Sequence, residues 1–364
     1  MKILLCFGTR PEAIKMAPVI LELKKQNLGF KVCVTAQHRE MLDQVLNFFG
    51  IEPDYDLNLM QPDQNLNSLS ALILKNIDKV IEQYEPDILL VQGDTTTALM
   101  ASLAAYNRGV KIGHIEAGLR TGNLQSPFPE EGNRQLISRI ANYHFAPTLS
   151  VRNNLLRESI PEDKILVTGN TVVDALKIGK SRLEEGFRNE EINNLHAFIR
   201  KNKKLILVTG HRRENFGKGL EEVCQALLKI ERRENVQIIF PVHLNPRVMK
   251  PVHKLLGSRR NIHLVAPVNY PAFIWLMMWA DLIISDSGGI QEEAPSLKKT
   301  VLVTRDTTER PEGVEAGFSI LCGTNQHKII KEAYHHLDFP SLYVDRTNPF
   351  GDGFASKRII NFLG

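Results

Sequence analysis

Ionisable and hydroxyl side chains recur beside glycine just after short apolar runs in this chain. Gly8-Thr9-Arg10-Pro11-Glu12 follows the first run, with Lys15 one helical turn on; Gly93-Asp94-Thr95-Thr96-Thr97 and His114-Ile115-Glu116-Ala117-Gly118 follow two others. In the second half the same place is taken by Gly210-His211-Arg212-Arg213-Glu214, Pro241-Val242-His243, Asp286-Ser287-Gly288-Gly289 and Arg305-Asp306-Thr307. The set divides by chemistry. Arg10, Lys15, His211, Arg212, Arg213 and Arg310 are cationic or become so on protonation, and Ser287-Gly288-Gly289 opens a helix whose bare N–H groups attract phosphate. These outline a diphosphate cradle. Asp94, Glu116 and Glu130, from the first half, are the material of acid–base chemistry on something attached to that phosphate. Each has a simpler reading: Asp94, Thr95 and Ser287 suit helix N-caps, Arg10 a solvated charge, and Glu130-Glu131 ordinary first-turn helix charge. Their convergence on one edge is what those readings leave unexplained.

That edge follows from the elements. Ile3–Phe7, Lys31–Ala36, Asp87–Gln92, Lys111–Ile115, His144–Pro147 and Ile165–Thr168 read as strands, each nearly continuous in apolar residues, as parallel strands covered on both faces are. Ile14–Lys25, Leu66–Tyr84, Thr96–Asn107 and Arg134–Ala141 carry helical spacing between them. After a charge-dense helical stretch from about Lys180 to Lys204 the pattern restarts. Leu205–Val208, Val236–Phe240, Ile262–Val265, Leu282–Ile284 and Thr300–Val303 are its strands, with helices near Leu220–Arg233, Phe273–Ala280 and Gln291–Leu297. Such alternation predicts an α/β protein of two doubly wound domains, 1–170 and 171–353, with a terminal helix at 354–364 returning to the first. In an open parallel sheet ligands bind beyond the carboxyl ends of the strands, where the residues above stand.

Composition narrows the class. The 364 residues suffice for two cores, and 45 Lys plus Arg against 41 Asp plus Glu give a net charge of +4. A charged fraction of 24% and an apolar fraction of 43% are those of an ordinary globular protein, not of a disordered chain, a membrane protein or a dedicated nucleic-acid binder. Cys6, Cys33, Cys224 and Cys322 form no CxxC pair and read as buried reduced thiols. The N-terminal run reaches Thr9-Arg10-Pro11-Glu12 too soon for a signal peptide, and Asp281 interrupts the apolar stretch Phe273 to Ile284, so a cytoplasmic protein is expected. No GxGxxG follows a strand, no Walker loop is present, and no HExxH links the eleven histidines; neither a nicotinamide nor a metal is expected. His253 and His263 read as fillers. Asp286-Ser287-Gly288-Gly289 resembles a serine-protease nucleophile sequence, but a strand-to-helix turn of a parallel sheet is the wrong architecture.

Taken in order, the motifs resemble those of the bacterial non-hydrolysing UDP-N-acetylglucosamine 2-epimerases. The resemblance rests on the segments already quoted, extended as Gly8 to Lys15, Thr35-Ala36-Gln37-His38-Arg39, His114 to Gly122, Pro241 to Pro246, Asp286 to Pro295, Arg305 to Pro311 and Asn348-Pro349-Phe350-Gly351-Asp352-Gly353. It implies a glycosyltransferase-B-like fold of two Rossmann-like domains with the active-site cleft between them, usually a homodimer, interconverting UDP-GlcNAc and UDP-ManNAc without NAD or any other cofactor. By the same resemblance Arg10, Lys15, Asp94, Glu116, His211, Phe273, Ser287, Gly288, Gly289, Glu293 and Arg310 contact substrate, Phe273 holding the uracil and Glu293 the ribose. Asp94, Glu116, Glu130 and His211 are the candidates for catalysis. UDP-GlcNAc as an allosteric activator would meet Gln37, Arg212 or Arg213, and His243. Val268 stands where some members carry Gln, and Glu40 and the Asp63 region depart from the effector pattern. A UDP-sugar glycosyltransferase, a hydrolysing 2-epimerase and a non-catalytic UDP-sugar sensor are the competing readings; Thr95-Thr96-Thr97 and Leu119-Arg120-Thr121-Gly122 resemble the non-hydrolysing branch.

Overall fold

The computed structural model describes residues 1–36, 39–60, 64–210, 212, 215–339 and 346–364. The chain divides into two compact units, one of Met1–Ala175 with Phe350–Gly364, the other of Leu176–Pro349. Unit 1 holds strands β1 (Ile3–Phe7), β2 (Phe30–Val34), β3 (Tyr55–Asp56), β4 (Ile88–Gln92), β5 (Lys111–Ile115), β6 (Tyr143–Ala146) and β7 (Ile165–Val167). They form one parallel sheet in the order β3-β2-β1-β4-β5-β6-β7. Unit 2 holds β8 (Lys204–Thr209), β9 (Val236–Pro241), β10 (Ile262–Val265), β11 (Leu282–Ser285), β12 (Val301–Val303) and β13 (Ser319–Leu321), parallel in the order β10-β9-β8-β11-β12-β13. In each sheet the chain order reverses at the centre, between β1 and β4 and between β8 and β11, the switch point beyond which open parallel sheets bind their ligands.

Both central pairs are buried on both faces. β1 and β4 expose none of their residues, and Leu4↔Leu89 and Ile283↔Leu207 are among their registers with neighbours. The unit 1 core gathers Leu4, Cys6, Leu89 and Val91 from the sheet with Ile73, Ile77 and Val80 from the Leu66–Tyr84 helix. Ile206, Ile238 and Ile284 meet Leu227 and Val252 in unit 2. All four cysteines are buried and unpaired by disulfides. The Ala355–Leu363 helix belongs to unit 1. It lies against the Arg10–Lys25 helix, and its Phe362 ring packs edge-on to Tyr143 and Phe145 at 5.4 and 5.8 Å. No helix among the described residues is long and apolar enough to cross a membrane.

Several boundaries differ from those the sequence predicts. The first helix starts at Arg10 rather than Ile14, because Thr9 and Glu12 form a reciprocal capping box with Pro11 in the first turn. The charge-dense stretch is not helical from Lys180 to Lys204: helices span Thr171–Glu184 and Glu190–His196, and Lys204 already opens β8. Gln291–Leu297 is likewise divided, an α-helix at Gly288–Glu293 passing into a 3-10 turn at Ala294–Leu297 that contains Pro295. β3 and β13, two and three residues long, sit at sheet edges where periodicity has no length to show itself.

Candidate active site

In unit 1 the exits of β1, β4 and β5 are tied to one another by carboxylates. The buried Glu12 accepts from the Gly8 and Thr9 amides at 3.0 and 2.8 Å and from the Thr9 hydroxyl at 2.8 Å. Its other oxygen accepts from the Thr95 hydroxyl at 2.7 Å, so one side chain joins the loop after β1 to the loop after β4. Thr95 also caps the Thr96–Asn107 helix by accepting from the Ala98 amide, which leaves Asp94 out of the cap.

The Asp94 carboxylate meets a guanidinium nitrogen of Arg134 at 2.5 Å, and Asn133 donates to the Asp94 carbonyl at 2.8 Å. Burial raises the Asp94 pKa; Arg134 and Lys15 oppose the shift, while Glu116 and Glu130 reinforce it. Glu116, just after β5, is buried in a left-handed conformation, φ 64°, which costs a non-glycine residue strain. Its Oε1 receives Lys15 Nζ at 2.5 Å and Asn170 Nδ2 at 2.8 Å, and its Oε2 receives Gln92 Nε2. Two residues earlier, burial holds His114 down to about 3, so the neutral ring donates from Nε2 to the Gly93 carbonyl at 2.7 Å. Gly118 completes this turn at φ 96°, and a Cβ there would lie 2.7 Å from the Val151 carbonyl oxygen. Glu130 is the half-buried first residue of the Glu130–Ile140 helix. Its neighbour Glu131 is buried and accepts from the Thr121 and Gly122 amides and from Gln135, donors that outweigh burial and lower its pKa.

Unit 2 presents cations and backbone at its own switch point. Buried Asp286 accepts from the Arg212 amide at 2.9 Å, fixing the loop after β8 to the exit of β11. Ser287 occupies the N-cap position of the Gly288–Glu293 helix, yet its hydroxyl makes no cap hydrogen bond. A Cβ on Gly288 would stand 2.8 Å from Arg310 Cζ, so glycine here is what lets the guanidinium lie against the helix start. Glu292 accepts from Arg310 Nε at 2.9 Å and Glu309 approaches its terminal nitrogen at 3.5 Å. Burial works against ionisation of Glu309, but the Arg305 hydrogen bond and the Arg310 charge prevail and bring it to about 2. Buried Glu293 accepts from the Tyr270 hydroxyl at 2.8 Å. Phe273 is half-buried on the Tyr270–Trp279 helix, after a buried Val268. His243, beyond β9, accepts from the Asn245 amide at Nδ1.

The family profile described as UDP-N-acetylglucosamine 2-epimerase matches residues 21–364. A relative of that name from Salmonella typhimurium is 53% identical over 369 residues, covering 100% of this chain and 98% of its own. The chain belongs to the UDP-N-acetylglucosamine 2-epimerase family. It is thus an enzyme of the epimerase class. A crystal structure of the UDP-GlcNAc 2-epimerase from Neisseria meningitidis bound to UDP-GlcNAc is 51% identical, covers 100% of this chain and 99% of its own, and superposes with a TM-score of 0.93. The fold alone extends further: MurG from Acinetobacter baumannii, 15% identical, covers 100% of this chain and 98% of its own with a TM-score of 0.57. The two doubly wound sheets are thus of the expected glycosyltransferase-B-like, Rossmann-like kind.

Within unit 1 the structure brings Lys15, Asp94 and Glu116 together, places Glu130 where its charge reaches Asp94, and sets Arg10 at the start of the first helix. In unit 2 it joins Ser287, Gly288 and Arg310, with Glu293 and Phe273 on helices of the same unit. His211, Gln37 and Arg213 lie outside the described residues. Sequence reasoning missed Glu12, Gln92, Arg134, Asn170 and Tyr270 as members of these networks. Gln92 carried a signal, a polar residue closing the apolar run Ile88–Val91; Arg134 and Asn170 carried none, since only tertiary folding brings them to their carboxylates.

Proposed function

We propose that this chain performs its family's reaction, conversion of UDP-GlcNAc to UDP-ManNAc and back, by eliminating UDP to a 2-acetamidoglucal and re-adding it without releasing the fragments. The observation that carries the reading is the pair of carboxylates, Asp94 and Glu116, on adjoining strand exits, each held by its own cation. The C2 hydrogen of a GlcNAc unit is not alpha to a carbonyl, so a base cannot simply remove and return it. As a carboxylate takes the C2 proton, the C2–H pair becomes the C1=C2 bond and the C1–O pair leaves with UDP. Returning the proton to the opposite face as UDP adds to C1 inverts C2. Asp94, Glu116 and Glu130 divide these proton transfers, while Arg10, His211 and Arg310 stabilise the departing diphosphate. Ser287, Gly288 and Gly289 would offer it backbone and hydroxyl donors, Glu293 the ribose an acceptor, and Phe273 the uracil a face.

The same reading makes the enzyme a homodimer, has UDP-GlcNAc act as an activator through Gln37, Arg212 or Arg213, and His243, and sends ManNAc units to a cell-surface polysaccharide. Turnover of UDP-GlcNAc alone in heavy water, followed by NMR, tests the chemistry. Deuterium at C2 of the UDP-ManNAc formed is expected, with no accumulation of free UDP. Product retaining its original C2 hydrogen throughout would contradict elimination, and free ManNAc with UDP would mark a hydrolase.

A further inference from the structure

Asn170 follows β7, is buried, and carries no part in the chemistry above. Its side-chain oxygen accepts from the Val172 amide at 3.0 Å, at the start of the Thr171–Glu184 helix along which the chain leaves unit 1. Its backbone amide donates to the Phe350 carbonyl at 2.7 Å, where the chain rejoins unit 1. The two segments touch through backbone there: a Cβ on Gly169 would lie 3.3 Å from Gly351 Cα. With the side-chain oxygen committed to an N–H donor, the side-chain nitrogen must face the other way, and it donates to Glu116 Oε1 at 2.8 Å.

We propose that Asn170 is the positioning residue that sets Glu116 for proton transfer and ties that carboxylate to the segments by which the chain leaves and re-enters unit 1. The inference rests on the epimerase reading for its activity readout. Glu116 is in a strained backbone conformation and its rotamer is fixed from three sides. Lys15 reaches it from the first helix, Gln92 from β4 and Asn170 from beyond β7, while Asp94 adds a like charge and His114, two residues earlier, is neutral. Of these three donors, Asn170 alone is bonded to the segments by which the chain leaves and re-enters unit 1. A donor of neutral charge fixes geometry and favours the ionised carboxylate without matching Lys15 in strength.

The test compares the full-length protein with Asn170→Ala, Asn170→Asp and Asp174→Asn. Asp174 accepts from the Ala355 and Ser356 amides and the Ser356 hydroxyl, so its variant loosens the same join without touching Glu116. The Glu116 carboxyl is titrated by carbon-13 NMR, alongside pH profiles of kcat/KM and thermal melting. Asn170→Asp sets two carboxylates side by side and is expected to raise the Glu116 titration and the acidic limb by about one pH unit or more. Asn170→Ala is expected to lower kcat about tenfold or more with KM little changed. Asp174→Asn should melt earlier yet leave both titration and limb in place. An unmoved Glu116 titration in both Asn170 variants, with melting lowered as in Asp174→Asn, would reduce Asn170 to a helix cap and overturn the proposal. Failure of the unaltered protein to form UDP-ManNAc would instead sink the epimerase reading, and the NMR titration would still decide on Asn170.

Discussion

Asp94 and Glu116 show how one environment is made to hold two carboxylates apart in character. Glu116 is buried and Asp94 half-buried, both feel Lys15, and each feels the other's charge. The difference lies in the partners: Asp94 has a guanidinium at 2.5 Å, Glu116 an ammonium and two neutral amides. Arg134 therefore opposes the upward pull that burial, Glu116 and Glu130 exert on the Asp94 pKa. Arg134→Ala is expected to raise the acidic limb of the kcat/KM profile and to destabilise unit 1 by about 1–3 kcal/mol, less than a fully buried pair would lose because water still reaches Asp94. Arg134→Lys should recover charge but not the planar donor geometry, restoring the limb more fully than the rate. Unchanged profiles in both variants would remove Arg134 from the site.

Among the elements, Glu12 holds together what strand pairing alone leaves loose. β1 and β4 are adjacent, but their pairing ends with the strands, and beyond it the Glu12 carboxylate joins Gly8 and Thr9 to Thr95. Glu12→Ala leaves two amides and two hydroxyls without that acceptor and is expected to cost about 2–4 kcal/mol in urea unfolding, with activity falling more than stability as Arg10 and Asp94 lose a common anchor. Glu12→Gln, which keeps the shape, should lose less of both. Stability equal to the parent's in Glu12→Ala would show the clamp to be dispensable. This scale was also the most legible from sequence. Leu66–Tyr84 and Thr96–Asn107 have the bounds their spacing predicts, because apolar period and caps agree there. Pro246–Leu256 keeps a clear period, Val248, Val252 and Leu256 at every fourth place, but Pro251 inside it reads as a break, and the asparagines of Leu149–Arg157 dilute its period. For the site, residues at strand exits were legible because the fold class fixes where exits point. Their partners were not, since pairs such as Glu116 with Asn170, 54 residues apart, exist only once the sheet is assembled.

For the molecule as a whole, the first loss of stability on acidification comes from histidines the chemistry does not use. His114 and His144 lie opposite each other on β5 and β6, both buried. Burial pushes them down to about 3 and about 4. In the unfolded chain each titrates near 6.5, so between about 6.5 and 4 the unfolded state binds more protons and stability falls as pH falls. Each ring contributes about 1.4 kcal/mol per pH unit within that window, and His263 and His336 are lowered by burial in the same direction. In the carboxylate range the groups oppose one another: burial raises Glu12, Asp94 and Asp174, so the folded state takes their protons first, whereas Glu131 and Glu309, held down by their donors and cations, cost stability as they are protonated. Stability is therefore expected to be greatest at or above neutrality and to decline most steeply from about pH 6.5 to 5 in urea melts. His144→Leu, which removes one buried ring, should flatten that slope by about 1.4 kcal/mol per pH unit; a slope equal to the parent's would mean that His144 is protonated in the folded protein and that its burial does not govern the acid limit.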